Sequence, residues 1–172
     1  LIDDPAVAGG KAFDWRAEFP EMMQNGGFDV VIGNPPYGAT LTEQEQKHVN
    51  NAYDIGSTDT AILFIKRCYH LLHSQGALGF IIPKAFCFSS NYHQIRDNVW
   101  NDLVSIVDCG KVWKEVKLEQ VIITLIKGKS AQRYASLSRQ ESAMVFLAEI
   151  DKSIAKEFGF FLNNVSYDEI AI

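Results

Sequence analysis

The chain has 172 residues, 47% of them hydrophobic, which suits one domain with its own core. Its net charge of −5 runs against DNA binding as a whole-chain property. No run is apolar for long enough to cross a membrane as a helix, and the first residues do not form a signal peptide. Cys68, Cys87 and Cys109 are scattered and lack any CxxC spacing, so they read as reduced core residues of a cytoplasmic protein.

Phe28 to Ile32 is a short apolar run rich in β-branched residues, as a buried parallel strand requires, and Gly33 ends it. Residues 38–56 are polar and mixed, which suggests a mobile lid with a short helix. The pattern then predicts a helix from Thr58 to His73, capped by Ser57 or Thr58, with Asp59 in its first turn and Gly76 just past its end. Ala77 to Ile82 is the next predicted strand, stopped by Pro83. A second helix is predicted from Tyr92 to Asp102, with Asn91 as cap and Tyr92, Ile95 and Val99 on one face. Leu103–Val107 and Gln120–Lys127 follow as strands, so the chain alternates as an α/β fold does. Beyond them, Ser138 with Glu141 forms a capping-box pattern. Met144, Leu147, Ile150, Ile154 and Phe158 then recur at helical spacing up to Gly159, predicting a helix over 138–159.

The loop after the first strand carries the chemistry. It reads Asn34-Pro35-Pro36-Tyr37, and its two prolines fix φ at both positions and remove two N–H donors. Open α/β sheets place ligands at such loops, beyond the carboxyl ends of their strands. The side-chain oxygen of Asn34 and the carbonyl of Pro35 are acceptors that can converge on one –NH₂ group. Holding both hydrogens of a conjugated amine favours its pyramidalisation and stabilises the positive charge that grows as it attacks a methyl donor. Tyr37 offers a ring on which a planar substrate can stack, worth about 1–3 kcal/mol for a base.

Residues 111–133 concentrate Lys111, Lys114, Lys117, Lys127, Lys129 and Arg133 against only Glu115 and Glu119. The segment is either a solvated hairpin surface or a contact for phosphate. Glu115-Val116-Lys117 after Asp108 resembles part of a metal-dependent nuclease site, but the interval is too short to build the hairpin between them. His70 and His73 stand at i, i+3 without a third ligand, so they are expected in the last turn of their helix and no metal site is predicted.

Asn34-Pro35-Pro36-Tyr37 resembles the catalytic motif of amino-group DNA methyltransferases of the N6-adenine class. Phe13-Asp14-Trp15, Glu18-Phe19-Pro20-Glu21 and Gly26-Gly27-Phe28-Asp29 resemble the lead-in of type IIG restriction–modification enzymes. The tetrad by itself is also similar to that of protein-glutamine and RNA methyltransferases. The resemblance implies the C-terminal half of a Rossmann-like class I methyltransferase sheet with flanking helices. It divides the chain into a lead-in (1–27), a substrate-facing half (28–130) and a linker helix toward a target-recognition domain (131–172).

The resemblance further implies S-adenosyl-L-methionine as methyl donor and double-stranded DNA as partner. Asn34, Pro35 and Tyr37 take the catalytic positions. Pro36 and Trp113 take substrate-binding ones, with Trp113 standing where relatives place an aromatic against a flipped base; otherwise it is a Trp packed at a hairpin. Asp59 matches a position bordering the cofactor pocket, or else serves only as a helix acid. The Gly-rich cofactor loop of the family does not occur here: Gly9-Gly10 and Gly26-Gly27 are too short and open no helix after a strand. Together with the start Leu-Ile-Asp-Asp, this leads to the expectation that the cofactor half lies upstream on a longer polypeptide and that this stretch alone is inactive. The alternatives are a methyltransferase for glutamine side chains or RNA, and a non-catalytic domain that binds DNA or a protein partner.

Overall fold

The computed structural model describes residues 2–53, 59–113, 117–166 and 169. Three short helices lead in: α1 (Pro5–Ala8), α2 (Trp15–Glu18) and α3 (Pro20–Gln24). Asp4 and Asp14 cap the first two, accepting from Ala6 N at 2.8 Å and from Arg16 N at 2.9 Å. Phe13, Trp15 and Phe19 cluster with Phe28, and the Trp15 and Phe19 rings lie 5.8 and 5.4 Å from that of Phe28. The lead-in is thereby fixed to the start of strand β1 (Phe28–Gly33). Gly27 makes the entry possible: its φ is +130°, and a Cβ there would lie 2.3 Å from the carbonyl oxygen of Leu71.

Helix α4 (Glu43–Tyr53) follows, opened by a reciprocal box. Thr42 N donates to Glu45 Oε2 at 2.8 Å, and Glu45 N donates to Thr42 Oγ1 at 3.3 Å. Val49 and Tyr53 are buried, so this part of the expected lid is docked on the core. Helix α5 (Thr60–Leu71) comes next, and Leu72 already has extended geometry. Strand β2 (Leu72–Pro83) therefore begins earlier than its apolar run suggests, and it takes in His73 and Gly76. The expected Ser57 and Thr58 caps lie outside the described residues; the cap is Asp59, which accepts from Ala61 N at 2.9 Å.

The second predicted helix is shorter than expected. Helix α6 (His93–Val99) is flanked by 3₁₀ turns at Ser90–Tyr92 and Trp100–Asp102, and Asn91 makes no cap bond. Its predicted inner face is correct, since Tyr92, Ile95 and Val99 are all buried. Strands β3 (Leu103–Gly110) and β4 (Gln120–Ile126) follow.

The C-terminal segment corrects the sequence reading. Ser138 lies in strand β5 (Arg133–Gln140), and Met144 to Ile150 lie in strand β6 (Ala143–Asp151). Only helix α7 (Lys152–Phe158) survives of the helix expected over 138–159, ending at Gly159 with left-handed φ of 72°. Spacings of three and four also occur by chance in a half-buried strand, and the run Val145-Phe146-Leu147 is itself strand-like. Glu141 and Ser142 form a two-residue turn, with Glu141 at φ 52°. Because the usual Asn-Gly signal is missing there, the hairpin is hard to see in the sequence.

Among the described residues, six strands form one sheet in the order β1-β2-β4-β3-β5-β6. β1, β2, β3 and β5 run in one direction, with β4 and β6 against them. One face is sealed by Leu78, Phe80, Ile82, Ile106, Val121, Ile123 and Leu125 against the α5 residues Ile62, Leu63 and Ile65. The opposite face is less well covered. Ala77, Ile81, Ile122 and Ile126 are half-buried there, while Val30 and Ile32 are 60% and 79% exposed.

Candidate functional site

Strand direction decides where the site lies. Asn34 follows β1, Lys84 follows β2 and Trp113 follows β3, all at the same carboxyl edge of the sheet. In the tetrad Asn34 is exposed, Pro35 buried, Pro36 exposed and Tyr37 half-buried. Among the described residues, neither the Asn34 side chain nor the Pro35 carbonyl has a hydrogen-bond partner, so both acceptors are unpaired.

The tetrad is held from beneath by the start of α5. Thr60, 2% exposed, donates through Oγ1 to the Pro36 carbonyl at 2.7 Å and accepts from Ala39 N at 3.4 Å. Asp59 is tied on both oxygens, Oδ1 by Ala61 N and Oδ2 by Tyr92 Oη at 2.8 Å. Burial raises the pKa of the Tyr92 phenol, and its bond to the Asp59 carboxylate raises it further. Asp59 is therefore the cap of α5 and stands directly beside the residue that grips the tetrad.

Trp113, also half-buried, sits in the β3–β4 loop, and that loop is anchored at both ends. Gly110 N donates to Asp108 Oδ1 at 3.0 Å, and Val112 N donates to Oε1 of the fully buried Gln120 at 3.2 Å. Gln120 Nε2 in turn donates to the Leu118 carbonyl. Lys84 Nζ bridges Asp108 at 2.8 Å and Glu119 at 3.1 Å, lining an open polar pocket of about 270 Å³ with Ser138 and Arg139. Burial opposes the charge on Lys84, but its two carboxylate partners outweigh this and hold its pKa above the ordinary lysine value.

The structure places Tyr37 and Trp113 on one edge without bringing their rings together. β2 and β4 lie between β1 and β3, so about 14 Å of sheet separates the two loop bases at ordinary strand spacing. The basic segment is also divided. Lys111 and Lys117 lie at this edge, whereas Lys127 just past β4 and Arg133 at the start of β5 lie at the opposite edge, where Lys127 Nζ sits 5.4 Å above the Tyr69 ring. Lys114 and Glu115 are outside the described residues. His73 is in β2, not in a helical turn, with Nε2 2.8 Å from Asp29 Oδ1, a bond that raises its pKa. No group of His, Cys, Asp and Glu among the described residues is arranged to hold a metal ion.

Sequence reading missed Thr60, Gln120 and Lys84. Thr60 reaches a partner 24 residues away, and nothing in its local pattern announces it. Gln120 carried a weak signal, as a polar residue opening an apolar strand at the end of the loop it holds.

A mixed sheet with an Asn-Pro-Pro-Tyr loop at the carboxyl end of its edge strand defines a class I methyltransferase-type α/β fold. The type IIG restriction endonuclease BpuSI has this fold, with a TM-score of 0.63 at 16% identity over 79% of this chain and 20% of that one. Residues 2–112 match the Eco57I restriction-modification methylase model, and the chain belongs to that family. It is 29% identical over 112 residues to the type II methyltransferase M.VspI of Vibrio sp. (strain 343), covering 64% of this chain and 28% of that protein. It is 38% identical over 76 residues to the type II restriction enzyme and methyltransferase RM.Eco57I of Escherichia coli, covering 39% of this chain and 7% of that protein. The chain thus spans less than a third of the length of the curated relatives it matches. No helix among the described residues is long and apolar enough to cross a membrane.

Proposed function

We propose that the chain forms the substrate-facing part of an adenine-N6 DNA methyltransferase within a restriction–modification enzyme. The observation that carries this reading is the tetrad itself: Asn34 and Pro35 hold two unpaired acceptors on a loop clamped to α5, in a chain of a restriction-modification methylase family. The two acceptors hold the hydrogens of the adenine amine and favour the pyramidal geometry from which its lone pair attacks. S-adenosyl-L-methionine, when bound, supplies an electrophilic methyl group. The adenine nitrogen would bond to that methyl as the methyl–sulfur bond breaks, the electron pair staying on sulfur to leave a neutral thioether. The nitrogen would then release one proton to water without need of a strong general base.

Adenine in a duplex is stacked and paired, so the reading requires base flipping. Tyr37 and Pro36 form one wall for the extruded base, and Trp113 closes the other by leaning inward over the edge. Lys111 and Lys117, exposed on the same edge, meet the phosphates of double-stranded DNA.

The described residues offer adenosylmethionine a border and not a cradle, since no Gly-rich strand-to-helix turn occurs among them. Asp59, at the head of α5 beside the tetrad, forms part of that border. The rest belongs to a cofactor half on the same polypeptide. Support comes from β1, which among the described residues bonds only to β2, and from the incompletely covered face carrying Val30 and Ile32. Parallel sheets are ordinarily covered on both faces. A target-recognition domain of the same polypeptide supplies sequence choice.

The test is transfer of a labelled methyl group by the full-length enzyme to unmethylated duplex DNA, followed by nucleoside analysis. N6-methyladenine is expected. Label in protein glutamine or RNA with none in DNA overturns the DNA assignment and leaves the amine clamp standing.

A further inference from the structure

Two adjacent prolines create a problem for the loop that contains them. Lacking N–H groups, Pro35 and Pro36 cannot be fixed by donating to a neighbouring strand or turn, so the loop must be held through its carbonyls. One carbonyl is held. Thr60 Oγ1 donates to Pro36 O at 2.7 Å and accepts from Ala39 N at 3.4 Å, so a single hydroxyl grips the chain on both sides of Tyr37. The side chain that makes this grip is 2% exposed and sits on the first residue of a helix whose start is fixed by Asp59 and Tyr92.

We infer that Thr60 is a positioning residue for the amine clamp: its hydroxyl fixes the Pro36–Tyr37 peptide and through it the Pro35 carbonyl and the Tyr37 ring. The inference rests on the proposed methyltransferase reading and adds to it a residue that touches neither base nor methyl donor. Rotation of the Pro36 carbonyl away from Thr60 turns the Tyr37 ring and tilts the preceding carbonyl. A displacement of about 1 Å at reacting groups costs on the order of 10²-fold in rate. A hydroxyl that served only to pack the helix start would affect stability and leave the chemical step alone.

The experiment compares Thr60→Val, Thr60→Ser and Asn34→Ala in the full-length enzyme. Single-turnover methyl transfer to unmethylated genomic DNA is measured at saturating adenosylmethionine, with the KM for DNA and the melting temperature alongside. Thr60→Val keeps the shape and removes the hydroxyl, and it should slow transfer by about 10- to 100-fold with KM changed less than about threefold. Thr60→Ser restores the donor and should return the rate to within about threefold of the parent. If Thr60→Val does not fold, Thr60→Ala carries the same expectation.

A Thr60→Val rate within about twofold of the parent overturns the inference, as does a defect confined to KM or one that Thr60→Ser fails to rescue. Asn34→Ala separates the two levels. If it is inactive while Thr60→Val turns over normally, only the Thr60 assignment falls. If Asn34→Ala is itself active, the amine-clamp reading falls.

Discussion

Tyr92 Oη donates to Asp59 Oδ2 at 2.8 Å, joining the turn before α6 to the N-cap of α5 across 33 residues of sequence. The other oxygen of the same carboxylate caps Ala61 N at 2.9 Å, so one side chain both starts a helix and ties it to its neighbour. Asp59→Ala should lower stability by roughly 0.5–2 kcal/mol, the range for losing a helix cap. Tyr92→Phe removes only the tie, for about 0.5–1.5 kcal/mol. Because both variants break the same bond, the double variant should fall short of the sum by roughly 0.5 kcal/mol or more in a urea-unfolding cycle. Strict additivity means that the bond does not form in solution.

Asn34 is exposed at the tip of the tetrad and has no partner among the described residues, so its removal should cost the fold little. Its loss in catalysis should be large: Asn34→Ala is expected to depress single-turnover methylation by about 10²–10³-fold, as for one preorganised transition-state partner. The affinity for adenosylmethionine, measured by calorimetry, should remain near that of the parent. Near-normal turnover would falsify the clamp.

The sequence made the strands of the first 126 residues legible because their apolar runs are short, β-branched and bounded by Gly or Pro, as in Phe28–Gly33 and Ala77–Pro83. It was misleading where one pattern serves two periods. Met144, Leu147 and Ile150 satisfy helical spacing, yet Ala148 and Ile150 alternate into the core as Tyr134 and Ser136 do on the partner strand. The tetrad was legible because four adjacent residues carry its chemistry. The grip of Thr60 and the Gln120 anchor were not, because each is a contact that only the fold creates.

Lys152 is 6% exposed beside a cavity of about 560 Å³, donating to the Asn101 carbonyl at 2.7 Å. Burial lowers its pKa from 10.5 to about 8, and nearby Asp102 offsets this only in part. The sign of the effect on stability follows from proton binding. Below pH about 8 both folded and unfolded chains hold the proton, and the burial penalty is constant. Between about 8 and 10.5 the unfolded chain keeps a proton that the folded chain has lost, so this group makes stability rise with pH. Urea midpoints across that window should therefore climb more in the parent than in Lys152→Met. Parallel profiles mean that Lys152 stays charged in the fold.

Trp113 stands on a loop that Gln120 and Asp108 hold at its ends, across the edge from Tyr37. If it walls a flipped adenine, replacing the target adenine by 2-aminopurine in a recognition-site duplex should give an emission rise when the full-length enzyme binds. That rise reports unstacking from neighbouring bases. Trp113→Ala should weaken capture of the extruded base by about 1–3 kcal/mol, the range for one stacking partner. Salt-sensitive binding to the duplex should persist, because Lys111, Lys117 and the phosphates they meet are unchanged. Since stacking on either ring can quench the probe, the emission is to be read together with the methylation rate of ordinary adenine. Trp113→Ala should slow that rate, and a duplex whose target adenine is opposite a mismatch, already half-released, should recover part of it. If Trp113→Ala methylates the matched duplex at the parent rate, Trp113 is a packing residue of the β3–β4 hairpin and the second wall of the base lies elsewhere.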